Sequence, residues 1–176
     1  RSDNMYKTSL GIPFRVMKEG NNIAYTSLWD NYPDMVKVPL SGKASHAYLL
    51  LVGSTNHMQC RIANGIVRVY YTDGTSEVLE LVNPDNWCPI EQDFYLDDFA
   101  FDAPRPHPYR FHLKTGIVSR DLGKALKLRG SADRRFEGGA GVMLDIPLDK
   151  NKTLKELTLE TVANDVVIGL MSVTLQ

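Results

Sequence analysis

Apolar residues along the chain recur mainly with a period of two, in short runs cut by glycine, proline, asparagine and aspartate. Ile66 to Thr72 and Val78 to Val82 are β-branched and aromatic runs joined through Asp73-Gly74. That dipeptide suits a tight turn, and the spacing predicts a β-hairpin with positive φ at both central turn positions. Ile12 to Met17, Ile23 to Leu28 and Met35 to Leu40 read as three earlier strands. In the third, Val36, Val38 and Leu40 share one face, and Pro39, which has no N–H to give a ladder, assigns the strand to an edge or rim. Ala44 to Gly53 is apolar enough to be covered on both faces. Its length suits helix or strand, and its flanking Gly42 and Gly53 and its place among strands favour strand.

The second half repeats the pattern. Tyr109 to Leu113 is strand-like, Leu122 to Leu128 suits one short helix before Gly130, and Gly138-Gly139-Ala140-Gly141 leads into the run Val142 to Leu148. Leu157, Leu159 and Thr161 alternate with Thr158 and Glu160, Asn164-Asp165 turns the chain, and Val166 to Leu175 reads as a long final strand. Nine or ten strands with one minor helix predict an all-β fold, an antiparallel β-sandwich of jelly-roll type. Alternating β and α units are absent, and so is a glycine-rich loop between strand and helix, which removes a doubly wound nucleotide-binding fold.

Size and charge narrow the picture further. With 176 residues, 43% of them hydrophobic, the chain suits one domain spanning residues 1–176, and neither an internal repeat nor a linker divides it. A net charge of -1 supplies no basic field for a phosphate backbone, so nucleic acid is not an expected partner. The most apolar stretches, Ala47 to Val52 and Val166 to Leu175, fall short of the roughly 20 residues of a spanning helix, so no membrane insertion is expected. Arg1 to Asn4 include neither an initiator Met nor an apolar leader, the pattern of a piece excised from a larger protein. Cys60 and Cys88 can form one bridge or remain two free thiols, and cannot alone supply a four-sulfur zinc site.

Candidate chemistry concentrates between Asn83 and Pro108, where five prolines remove backbone donors and aromatic residues interleave with carboxylates. Glu91, Asp93, Asp97, Asp98 and Asp102 could furnish the facing carboxyl pair of a small glycosidase using the acidic loop 91–102, or oxygens for a structural calcium. Solvated or backbone-capping carboxylates are the alternative. No cofactor is expected. His46, His57, His107 and His112 are scattered without metal-binding spacing, and no Gly-x-Ser-x-Gly elbow is present, so no catalytic residue is assigned. Sugar recognition pairs an aromatic face with planar polar groups. Trp87, Asp93, Tyr95, Arg105 and His107 are therefore the candidate carbohydrate-binding residues. Against this, Trp87, Phe94, Phe99 and Phe101 could plug the core. Trp29 with Tyr32 is a second, lesser aromatic candidate, because Asp30-Asn31 between them reads as a turn.

Specific segments also resemble a known group. Gly11-Ile12-Pro13-Phe14, Tyr32-Pro33 leading into Val38-Pro39-Leu40-Ser41-Gly42-Lys43-Ala44, the strand Tyr48 to Val52, Tyr71-Thr72-Asp73-Gly74-Thr75 and Asn86-Trp87 follow in an order that carries the likeness. Leu144 to Leu148, Leu154 to Thr161 and Gly169 to Leu175 complete it. Together they resemble the galactose-binding-like jelly-roll accessory domains, often C-terminal, of bacterial glycoside hydrolases. The resemblance implies a secreted or periplasmic parent enzyme and a domain that is not itself an enzyme. Its partners would be carbohydrate or the catalytic module of the same parent chain. A purely structural interaction module without ligand is the rival expectation, distinguished by a bare apolar patch in place of an aromatic platform.

Overall fold

The computed structural model describes residues 4–17, 19–55, 60–91, 106–129 and 135–176. A short N-terminal pair, β1 (Met5–Lys7) and β2 (Pro13–Arg15), precedes β3 (Ala24–Ser27), β4 (Met35–Pro39), β5 (His46–Ser54), β6 (Ala63–Tyr71) and β7 (Ser76–Val82). There follow β8 (Tyr109–His112), β9 (Val118–Ser119), the single-turn α1 (Leu122–Ala125), β10 (Ala140–Pro147), β11 (Leu154–Thr161) and β12 (Val167–Leu175). Six strands form one antiparallel sheet in the order β3-β12-β5-β10-β8-β9, and four form a second in the order β4-β11-β6-β7. From β3 to β6 each successive strand changes sheet, and β10, β11 and β12 do so again. The fold is thus an all-β, antiparallel sandwich of the jelly-roll type.

The alternation along β5 shows why that segment is apolar throughout. Ala47, Leu49 and Leu51 enter the core between the sheets, packing with Val67, Val69, Leu157, Leu159 and Ile168. Leu50 and Val52 point the other way and meet Ile12, Phe14, Phe111 and Met143. The β1–β2 hairpin roofs this outer face, so the central strand is dry on both sides. β12 keeps Ile168 and Leu170 inward, but a register shift between Leu170 and Ser172 reverses the phase, so Val173 and Leu175 also pack on the inner core.

Strand positions follow the sequence pattern closely, and the differences are local. Pro39 pairs opposite Glu156 at the end of β4, which is an edge of the four-stranded sheet. β1 and β9 are three and two residues long, too short to show a period. The expected helix reduces to one turn, capped by the Asp121 carboxylate accepting from the Lys124 N–H at 3.1 Å. At the β6–β7 hairpin, only Gly74 has positive φ, at 86°, which corrects the expectation that both central residues would. Gly74 N–H donates to the Tyr71 carbonyl and Tyr71 N–H to the Thr75 carbonyl, giving a three-residue loop with glycine at the left-handed position. Asp73 accepts from both the N–H and the hydroxyl of Thr75, at 2.9 and 2.6 Å, and these bonds hold its carboxyl down to about 2. Cys60 and Cys88 are free thiols, and burial pushes the Cys60 thiol up.

Candidate functional site: an aromatic cleft between two sheet edges

The residues first expected to meet sugar are placed elsewhere or lie outside the described residues. Trp87 is fully buried in the core between the sheets. Its indole N–H donates to Asn64 Oδ1 at 3.0 Å, and Asn64, itself buried, also accepts from Thr55 Oγ1 at 2.8 Å. A ring enclosed this way offers no face to a ligand, which corrects its assignment as a binding residue. His107 is half-buried, and its carbonyl accepts from Arg120 Nη1 at 2.5 Å while the Arg120 guanidinium stacks on Tyr109. Asp93, Tyr95 and Arg105 lie outside the described residues, as do Asp97, Asp98, Asp102, His57 and Phe94, Phe99 and Phe101. Glu91 is exposed, with Arg135 3.8 Å away. Among the described residues, no three His, Cys, Asp or Glu side chains gather as a metal site would require.

Two buried polar side chains near β8 have structural partners. Arg110 is fully enclosed and donates to the carbonyls of Pro89, Ala140 and Gly141 at 2.9–3.1 Å, with its guanidinium over Phe136. Three carbonyls from two segments thereby tie the end of the 83–91 stretch to β10. His112 bridges Thr115 Oγ1 and the Glu137 carbonyl, each at 2.8 Å, which stitches the β8 turn to the segment leading into β10.

The exposed aromatic cluster is at the opposite end of the six-stranded sheet. β3 and β4 are edge strands of different sheets, and the 28–34 connection crosses from one to the other. Tyr32 N–H donates to the Trp29 carbonyl at 3.0 Å, closing a β-turn with Asp30 and Asn31 at its centre. A turn brings its first and fourth residues within about 7 Å, so the turn places the two aromatic residues side by side. Their ring centroids are 6.2 Å apart, and Tyr25 lies 6.4 Å from Tyr32. Tyr25, Trp29 and Tyr32 remain 39%, 50% and 38% exposed.

The connection is anchored at both ends. Ser27 N–H donates to the Pro33 carbonyl, Ser27 Oγ to the Val166 carbonyl, and Thr161 N–H to the Asp34 carbonyl, at 2.8–3.0 Å. Beneath it, the hydroxyls of Thr26 and Thr161 meet at 2.8 Å between the sheets. Tyr25 pairs in register with Gly169 of β12, and a Cβ built at Gly169 would lie 2.8 Å from Tyr25 Cε1 and 2.6 Å from Ile23 Cγ2. The missing side chain is what lets the Tyr25 ring lie down across the strand.

Beside these rings an open cleft of about 510 Å³ runs between the two edges, with Asn21, Asn22, Tyr25, Tyr32, Pro33 and Val36 among its walls. Asn22 Nδ2 donates to the Met17 carbonyl at 3.3 Å. The hydroxyls of Tyr25 and Tyr32 and the Asn21 amide make no hydrogen bond among the described residues, and all three residues are exposed. The arrangement offers ring faces for apolar C–H surface and adjacent hydroxyl and amide groups for hydrogen bonds. Trp29 and Tyr32 were visible in the sequence as a lesser candidate. Tyr25 and Asn21 were missed, and only the pairing of Tyr25 with Gly169 could have singled out the former. No family model, no curated protein and no solved structure matches this chain.

Proposed function

We propose that this domain is a non-catalytic accessory module of a secreted carbohydrate-active protein, and that it contacts carbohydrate through the cleft between β3 and β4. The observation that carries the reading is the group of three exposed aromatic rings beside a cleft with free amide and hydroxyl groups. Apolar ring faces alone would suit many partners. Their combination with unpaired planar polar groups, held on anchored backbone, is what sugar rings require. The resemblance to glycoside hydrolase accessory domains supports the same reading and the absence of a reaction of its own.

The test is a glycan-array screen followed by calorimetric titration of the best ligand. Trp29→Ala and Tyr32→Ala, both exposed, should weaken binding about tenfold or more while leaving the fold intact. A ligand whose affinity is indifferent to both changes refutes the assignment of the site. Incubation with aryl glycosides and polysaccharides should release no product above a buffer control, and turnover abolished by Glu91→Ala or Asp93→Ala refutes the non-catalytic reading. A second reading rests on Leu28, which is exposed next to Trp29 and extends the apolar area. It treats the same patch as a packing face for the catalytic module of the parent chain. Co-purification of separately expressed modules, lost on Trp29→Ala with no glycan bound by the array, would favour it.

A further inference from the structure

Resting on that reading of the cleft, we infer that its ligand class is a single, soluble, uncharged glycan chain, and neither a crystalline polysaccharide face nor a uronate-bearing polymer. Two independent features carry this. The first is the angle between the rings. Tyr25 and Tyr32 stand at 86° to one another, and Trp29 and Tyr32 at 62°. Rings that bind a crystalline face must be coplanar, because every sugar of that face presents its C–H surface in one plane. Rings crossed at these angles cannot share a plane, but they can contact successive or opposite faces of one chain that twists through the cleft.

The backbone fixes where the rings are carried: Trp29 and Tyr32 are the first and fourth residues of one turn, and Tyr25 lies over Gly169 of β12. The cleft also continues between the edge strands, past Asn21 and Asn22 on one wall and Pro33 and Val36 on the other. A flat surface cannot enter such a recess, whereas one chain can.

The second feature is charge. Among the described residues, no Lys, Arg or His lines the cleft, and no acidic residue does so. The charged residues that flank the lining in sequence are of mixed sign, Lys18 and Glu19 on one side and Asp30, Asp34 and Lys37 on the other, and they form no cationic cluster; Glu19, Asp30, Asp34 and Lys37 are exposed. Recognition of a carboxylate or sulfate calls for Arg, Lys or a cluster of backbone N–H groups. Here the polar groups are amides and phenols, which donate and accept and so match hydroxyls.

Affinity electrophoresis of the full chain tests the inference directly. Native gels would contain soluble galactomannan, xyloglucan or hydroxyethylcellulose as neutral probes, and polygalacturonate or alginate as uronate probes. Depletion by microcrystalline cellulose would be measured in parallel, with circular dichroism to show that each variant is folded. At least one neutral polymer should retard the protein, and Trp29→Ala should reduce that retardation about tenfold in apparent affinity. The polyuronates and the crystalline solid should have no effect. Retardation by a polyuronate alone, or depletion by the crystalline solid, that Trp29→Ala abolishes overturns the ligand class and leaves the aromatic site standing. Retardation that neither Trp29→Ala nor Tyr32→Ala alters overturns the site itself. If no probe retards or depletes the protein, the carbohydrate reading fails, and the ligand class with it.

Discussion

Replacing Trp87 separates a core residue from a binding residue in one experiment. Its ring system is wholly buried, and its benzene edge rests on Gly53, where a built Cβ would fall 2.7 Å from Trp87 Cη2. Trp87→Ala removes the largest side chain in the inner core and opens a cavity that the two sheets, pinned by their ladders, cannot close. Such truncations cost about 3–5 kcal/mol. Against a total stability on the order of 5–15 kcal/mol, that variant sits near the limit of folding. Trp87→Phe gives the measurable case. It keeps an aromatic ring but loses the N–H bond to Asn64, about 1 kcal/mol, and vacates part of the ring volume, about another 1–2 kcal/mol. Asn64 Oδ1 retains Thr55 as a donor, so no buried acceptor is stranded. Urea unfolding followed by circular dichroism should therefore show a lower midpoint at unchanged slope, equivalent to about 2–3 kcal/mol. Glycan affinity of the folded variant should be that of the wild type. An unchanged midpoint together with weakened glycan binding would refute the burial argument and return Trp87 to the surface.

Three further outcomes follow from the hairpin and the cleft. Gly74→Val should cost about 1–3 kcal/mol although open space surrounds the position, because φ is 86° there and a β-branched residue is strained; an unchanged urea midpoint counts against the loop geometry. Asp73 is held near 2 against an ordinary value of 3.8, so its contribution is present above about pH 4 and is lost as pH falls towards 2; the stability gap between wild type and Asp73→Ala should narrow over that window, and a gap that widens on acidification contradicts it. Gly169→Ala should weaken glycan binding by lifting Tyr25, yet lower stability by no more than about 1–2 kcal/mol because the displaced atoms are the exposed Tyr25 ring and the half-buried Ile23 side chain; calorimetry and urea unfolding of the same variant check both.

Strand order of residues was legible wherever a period of two had room to repeat. Pro39 marked its strand as an edge through chemistry alone, and the unbroken apolar run of β5 was readable as a strand covered on both faces. Turn chemistry was legible in kind but not in detail, since Asp73-Gly74 fits both a two-residue loop and the three-residue loop observed. The site was harder to read. Trp87 sits in the most aromatic stretch of the chain, and composition cannot tell a ring that fills a core from one that faces solvent. In the sequence Asp30-Asn31 reads as a turn that demotes Trp29 and Tyr32, although a turn is what makes its first and fourth residues neighbours. Tyr25 depends on a cross-strand partner 144 positions later, Gly169, which no local pattern could supply. Arg110 was invisible for a similar reason: its carbonyl acceptors come from segments remote in sequence.

The last of the described strands lies between two of the early ones. β12 pairs with β3 on one side and β5 on the other, and among the described residues β3 has no other ladder partner. Synthesis proceeds from the N-terminus, so β3 and the aromatic residues around it must wait, unpaired, until the final nine-residue strand has emerged. Closure across so long a separation makes folding slow and leaves the incomplete sheet with an open slot beside β5. A ribosome-stalled or C-terminally clipped chain lacking β12 would therefore keep β4, β11, β6 and β7 as a sheet but have no seat for Tyr25. The seat of the aromatic cleft would form in one step, when β12 docks between β3 and β5.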